Sequence, residues 1–171
     1  MIISVNTPRY WKLLNIENLV FKEDCVDLSN CNIRKLNTNL SYSEAVKYFI
    51  DLQNLIELLE KNYLTFLFID INDFLIINDV LYMINDNSVV KLDNDNYFTM
   101  MKSVKPKKYI SPEFRYEIPL KLYKSFCYFQ ICSMIKEYLN YSIENIKHTP
   151  LYYAIRRGLE KEYNKRFLMI I

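Results

Sequence analysis

The sequence predicts an α+β fold, mostly helical, with a small antiparallel hairpin sheet and a short β extension at its N-terminus. Three observations carry that expectation. Apolar residues recur at three- and four-residue steps after Ser41. From Leu64 the period changes to short aromatic and β-branched runs. Residues 122–141 are apolar on nearly every side, as the central helix of a fold must be.

Residues 1–40 read as a short extension. Within it Leu19-Val20-Phe21 and Cys25-Val26-Asp27-Leu28, separated by Lys22-Glu23-Asp24, suit a hairpin. Residues 41–171 make the domain proper. Ser41 with Glu44 is a capping box, in which hydroxyl and carboxylate satisfy two backbone N–H groups reciprocally. Ala45, Phe49, Leu52, Ile56 and Leu59 then form one stripe to about Lys61. Leu64–Ile69, Phe74–Ile77, Val80–Ile84 and Val89–Leu92 are strand-like, and Asn-Asp pairs at 78–79 and 85–86 supply turns. Together they predict one sheet lying on the first helix. Residues 93–118 read as an extended loop, with Pro106, Pro112 and Pro119 as breakers. A second helix is expected from about Leu122 to Tyr141. Thr149 and Pro150 then give an N-cap and a first-turn proline to a third, through Leu159. A last short helix carries Phe167, Leu168 and Ile170.

Composition excludes several kinds of chemistry. The chain has 171 residues, enough for one domain with a real core. Gly158 is the only glycine, where an average chain carries about twelve, so no glycine-rich phosphate loop can form. His148 is the only histidine, which removes His-based triads and H-E-x-x-H metal helices. A net charge of +2 with interspersed signs gives no footprint for nucleic acid. The densest basic cluster, Lys102, Lys105, Lys107 and Lys108, reads as a solvated loop. No signal peptide is expected, because the N-terminus lacks a basic start followed by an unbroken apolar core, and no membrane span, because Asp70, Asn72, Asp73, Asn78 and Asp79 interrupt the most apolar region. Cys25, Cys31, Cys127 and Cys132 fit no zinc spacing and are expected as free thiols in a reducing compartment. The skew toward Asn, Ile, Lys, Tyr and Phe reflects AT-rich codons.

Several local motifs fall in a shared order. Ser111-Pro112-Glu113 resembles the tripeptide that closes a protein-kinase activation segment. Lys124–Gln130 resembles a worn S-D-x-Y-S-L-G at the start of that lobe's central helix. Arg156–Arg166 resembles the late signature ending in arginine, Phe68–Leu75 lies where the catalytic loop falls, and Val89-Val90-Lys91-Leu92 resembles the strand before D-F-G. The chain thus resembles a kinase carboxy-terminal lobe over residues 41–171, of the divergent kind found in large AT-rich DNA viruses. The resemblance implies that Asp70 holds the catalytic-aspartate position. It also implies that Glu113 and Arg166 form a buried ion pair, with Ser111 and Pro112 as structural neighbours.

Phosphoryl transfer needs metal-holding groups, a phosphate lysine, a lid and a base. Around Asp70 the matching positions hold Phe68, Ile69, Asn72 and Leu75, and Asp93-Asn94-Asp95-Asn96 follows Leu92 without Phe-Gly. Asp73 and Asp79 have no calcium-loop spacing, so turn roles are expected for them and for Asp93 and Asp95. Ser111 and Cys127 have no neighbouring base. The expectation is a catalytically inactive kinase-like protein, with no cofactor and no metal site. It would bind a protein partner as a regulator or scaffold in the host cytoplasm. The alternatives are a structural virion component and a phosphotransferase completed by a partner chain. Oligomeric state is left open.

Overall fold

Ser41 starts the first helix as its spacing requires. Its backbone N donates to Glu44 Oε2 at 3.0 Å, and Glu44 N donates to Ser41 Oγ at 3.4 Å. In the computed structural model, which describes residues 20–22, 25–84 and 88–171, helix α1 runs Tyr42–Lys61. It buries Ala45, Phe49, Leu52, Ile56 and Leu59, together with Tyr48 and Leu55. The chain reverses through Tyr63 into β4, Leu64–Phe66.

Before α1 come β1, Val20–Lys22, β2, Cys25–Asp27, and β3, Ile33–Lys35. β1 and β2 pair antiparallel, which is the hairpin expected there. Leu28, Leu36 and Leu40 enter the same core as α1. After β4 a single 3-10 turn, Ile71–Asp73, leads to β5, Phe74–Ile77, and β6, Val80–Met83. Asn78 and Asp79 join these two strands with φ of 49° and 66°. Positive φ at both central residues is what a type I′ hairpin needs, and Asn and Asp supply it in a chain almost without glycine. β3 pairs with the outer edge of β5.

β7, Val89–Lys91, pairs with β4 in a separate two-stranded sheet. β8, Tyr97–Met100, pairs with β9, Leu120–Tyr123, in another. Helices α2, Phe126–Tyr138, and α3, Pro150–Gly158, follow, with 3-10 turns at Ile143–Ile146 and Tyr163–Lys165. Thr149 Oγ1 accepts from Tyr152 N, so the predicted cap is in place.

This architecture overturns the expectation of a mostly helical, kinase-like lobe with one small hairpin sheet. Among the described residues the structure is α+β, with three α-helices and nine short strands, and is not mostly helical. Those strands are shared among four small antiparallel sheets. The reason is non-local pairing: β8 and β9 are four residues each, and each finds its partner across residues 101–119. Phe98, Met100 and Leu122 turn inward and Thr99 and Lys121 outward, but so short an alternation has no weight until its partner arrives. Drawing Leu120–Tyr123 into a strand moves the start of α2 to Phe126. Its end moves to Tyr138, because the backbone there is recruited by Leu40, whose N donates to Tyr138 O at 2.6 Å. The expected last helix is also corrected. Only the turn at Tyr163–Lys165 forms, and Phe167–Ile171 has no regular structure. That tail lies on α1, where Gln53 Nε2 donates to Met169 O at 2.6 Å.

One core lies between α1, the β3-β5-β6 sheet, α2 and α3. A second gathers Leu67, Phe68, Leu92, Phe98, Met100, Phe114, Leu122 and Phe126. Phe68 meets Phe114 and Phe126 edge-on, with ring centroids 5.5 and 5.9 Å away, a favoured aromatic arrangement. Among the described residues, no helix is long and apolar enough to cross a membrane.

Candidate functional site

Residues 101–119 leave the β8-β9 sheet and return to it, since Met100 and Leu120 are register partners. A loop of this length with its ends together is a place where function concentrates. It is clamped along its course. Lys107 Nζ donates to the largely buried carboxylate of Asp73, and Lys108 Nζ to Glu137. Tyr109 and Phe114 are buried beneath it. Its apolar outer residues are not: Met101 is 70% exposed, Tyr116 72% and Ile118 50%, with Val104 and Ile110 also open.

The end of the loop is fixed by the pair expected from the sequence. Arg166 Nη1 donates to Glu113 Oε1 at 2.7 Å and Nη2 to Oε2 at 3.1 Å. Ser111 Oγ donates to Glu113 Oε2. Pro112 adds a carbonyl that accepts from Arg115 Nη1 at 2.7 Å. Burial pushes the Glu113 carboxyl up, but the hydrogen bonds from Arg166 and Ser111 outweigh it and hold it below the usual carboxylate range.

Asp70 is brought close to this loop through Asp73 rather than by its own side chain. Its Oδ1 accepts from Asn72 N at 3.0 Å and Asn72 Nδ2 at 2.8 Å, while its backbone N donates to Asp73 Oδ2 at 2.7 Å. That is a capping box on a 3-10 turn, a structural use of both carboxylates. Asp93 is likewise a turn residue. Its Oδ1 accepts from Tyr97 N at 2.8 Å and Asp95 N at 3.0 Å, bonds that help hold its carboxyl below the ordinary value. Asp79 pairs with Arg34 at 2.8 Å at the other end of the β5-β6 hairpin. Among the described residues no group of three or more His, Cys, Asp or Glu could hold a metal ion.

The remaining nucleophile candidates are structural as well. Cys127 is fully buried, burial pushes its thiol up to about 12, and Sγ donates to Lys124 O at 3.2 Å. Cys31, Cys127 and Cys132 are free thiols, and the side chain of Cys25 lies outside the described residues. His148 takes φ of 71° before the Thr149 cap, with Nδ1 3.2 Å from the Tyr153 hydroxyl.

Two further positioning residues had a faint signal in the sequence. Gln130 is the one amide in an otherwise apolar stretch of α2. Its Oε1 accepts from Ile69 N at 3.0 Å and its Nε2 donates to Leu67 O at 2.8 Å, fixing the backbone that leads into Asp70. Ser125 donates to Tyr163 O at 2.9 Å and so ties the start of α2 to the last 3-10 turn. Lys107 had no such signal, because a lysine in a lysine-rich loop reads as solvated until Asp73 is placed beside it. Neither the family models nor the curated proteins contain a match to this chain.

Proposed function

We propose that the chain works by binding another protein, as a catalytically inactive regulator or scaffold, and that residues 101–119 present the binding surface. One observation carries this reading: a loop held by ion pairs and buried aromatics nevertheless offers Met101, Tyr116 and Ile118 to solvent. Met and Tyr are enriched at protein interfaces, and a loop already ordered loses less entropy on binding. The roles of Asp70 and Asp93 as caps and turns favour binding over catalysis. The AT-rich codon skew supports an origin in a large DNA virus. A place in the virus particle is the alternative within the same reading.

Two measurements test it. Affinity purification of the full chain from producing cells should recover a protein that is lost with Tyr116→Ser/Ile118→Asp while the melting temperature stays unchanged. Equal recovery by both forms removes the loop from the reading. A melt with ATP and Mg²⁺ should show no saturable shift. Ligand linkage gives about 2.7 kcal/mol at a hundredfold excess over Kd, so binding at millimolar nucleotide would be plain and would overturn the inactive assignment.

A further inference from the structure

A groove of about 560 Å³, open to solvent, lies between the loop at Tyr109 and Pro112, the face of α2, and the segment that follows α3. That volume is within the range of about 300–1,000 Å³ typical of ligand sites. Pro112, Phe129 and Leu159 give it an apolar lining, while Lys136 and Lys161 stand exposed at its rim. Glu137 also lines it, but its carboxylate accepts from Lys108 Nζ, so its charge is matched. Neither the Lys136 nor the Lys161 ammonium has an ion-pair partner among the described residues. The rim is therefore left with two uncompensated positive charges over an apolar floor.

Tyr109 closes one side of the groove. It is 5% exposed, stands in the wall of the groove, and its hydroxyl is buried without a hydrogen bond of ordinary geometry. Burial raises its pKa, and hydrogen bonding with Tyr138 and the nearby Glu137 carboxylate raise it further.

We infer that this groove is a docking site for a short acidic peptide segment carrying a large apolar side chain. The apolar side chain would cover Phe129 and Leu159, and flanking carboxylates would face Lys136 and Lys161. An acyl chain fits less well, because an open groove would leave much of its length in water. Tyr109 and Pro112 of the loop form one wall, but none of its exposed apolar residues Met101, Val104, Ile110, Tyr116 and Ile118 lines the groove.

The test is selection of a random-peptide phage library on the immobilised full chain. A labelled copy of the winning peptide is then measured by fluorescence anisotropy. Enriched sequences should place Asp or Glu beside Phe, Leu, Ile or Trp. The exposed double charge reversal Lys136→Glu/Lys161→Glu should keep its melting temperature and weaken the winning peptide about tenfold or more, since attraction becomes repulsion at two rim positions. Raising the salt should weaken binding to the wild type in the same direction. No enrichment, enrichment of neutral or basic sequences, unchanged affinity in the reversed variant, or displacement of the peptide by a fatty acid but not by a second acidic peptide would each overturn the inference.

Discussion

Arg166 grips Glu113 with two parallel hydrogen bonds of 2.7 and 3.1 Å. Its remaining N–H groups donate to Ser125 O, Glu160 O and Lys161 O, so all five guanidinium donors have acceptors. The Phe129 ring lies 5.1 Å from its central carbon. A fully satisfied planar cation is the form in which a buried charge is tolerable, and this one joins the loop, the start of α2 and the C-terminal segment.

Removing either member should therefore be costly, and unequally so. Arg166→Ala strands a largely buried carboxylate and three carbonyls, and should destabilise by about 3–5 kcal/mol. Glu113→Ala leaves a guanidinium that still has its three backbone acceptors, and should cost less. Arg166→Lys should not rescue, because an ammonium cannot span the same acceptors. Denaturant unfolding of both singles and the double should give clear non-additivity. Additive losses would mean that the pair is not coupled.

The same pair sets a pH dependence. The folded pKa of Glu113 is below its ordinary value of 4.5. Its contribution is thus complete above about pH 4.5 and is lost as pH falls through the lowered folded value. The difference in melting temperature between wild type and Glu113→Gln should be constant near neutrality and shrink in acid. Other carboxylates titrate in both proteins and cancel. A difference that stays constant into acid would remove the charge from the account.

Gly158 is needed for proximity rather than for backbone freedom. A Cβ there would fall 2.1 Å from Cys132 Sγ and 3.0 Å from its Cβ, where α3 packs on α2. Gly158→Ala should destabilise by about 1–3 kcal/mol through overpacking. Cys132→Ala removes the obstructing sulfur, so the double variant should recover much of that loss in a thermal melt. No recovery would place the cost elsewhere.

Gln130→Leu should leave Ile69 N and Leu67 O buried and unpaired. A cost of roughly 1–3 kcal/mol for each group follows. Hydrogen exchange supplies the local readout: the Ile69 amide should lose protection ahead of the amides within α1. Unchanged protection would show that the side chain does not hold this segment.

Elements coded by contiguous residues are legible in the amino-acid sequence itself. The Ser41-Glu44 box, the α1 stripe, the Asn78-Asp79 turn and the Thr149-Pro150 start each place cause and effect within a few residues. The Glu113-Arg166 pair is legible only through motif resemblance, which sets two residues far apart in the chain side by side. In the candidate site, Asp70 is visible as a residue, while its role as a cap depends on where Asn72 and Asp73 point.

By itself the sequence determined where helices α1 and α3 begin, how β5 turns into β6, and that no glycine-rich phosphate loop can form. Those outcomes follow from side chains meeting their own neighbouring backbone. Tertiary structure alone decided that β8 and β9 pair across residues 101–119, that α2 stops at Tyr138, and that Lys107 meets Asp73. It also decided that Met101, Tyr116 and Ile118 stay in water. Each of these depends on a partner far along the chain, and a short apolar or charged run has no fixed meaning until packing brings that partner within reach.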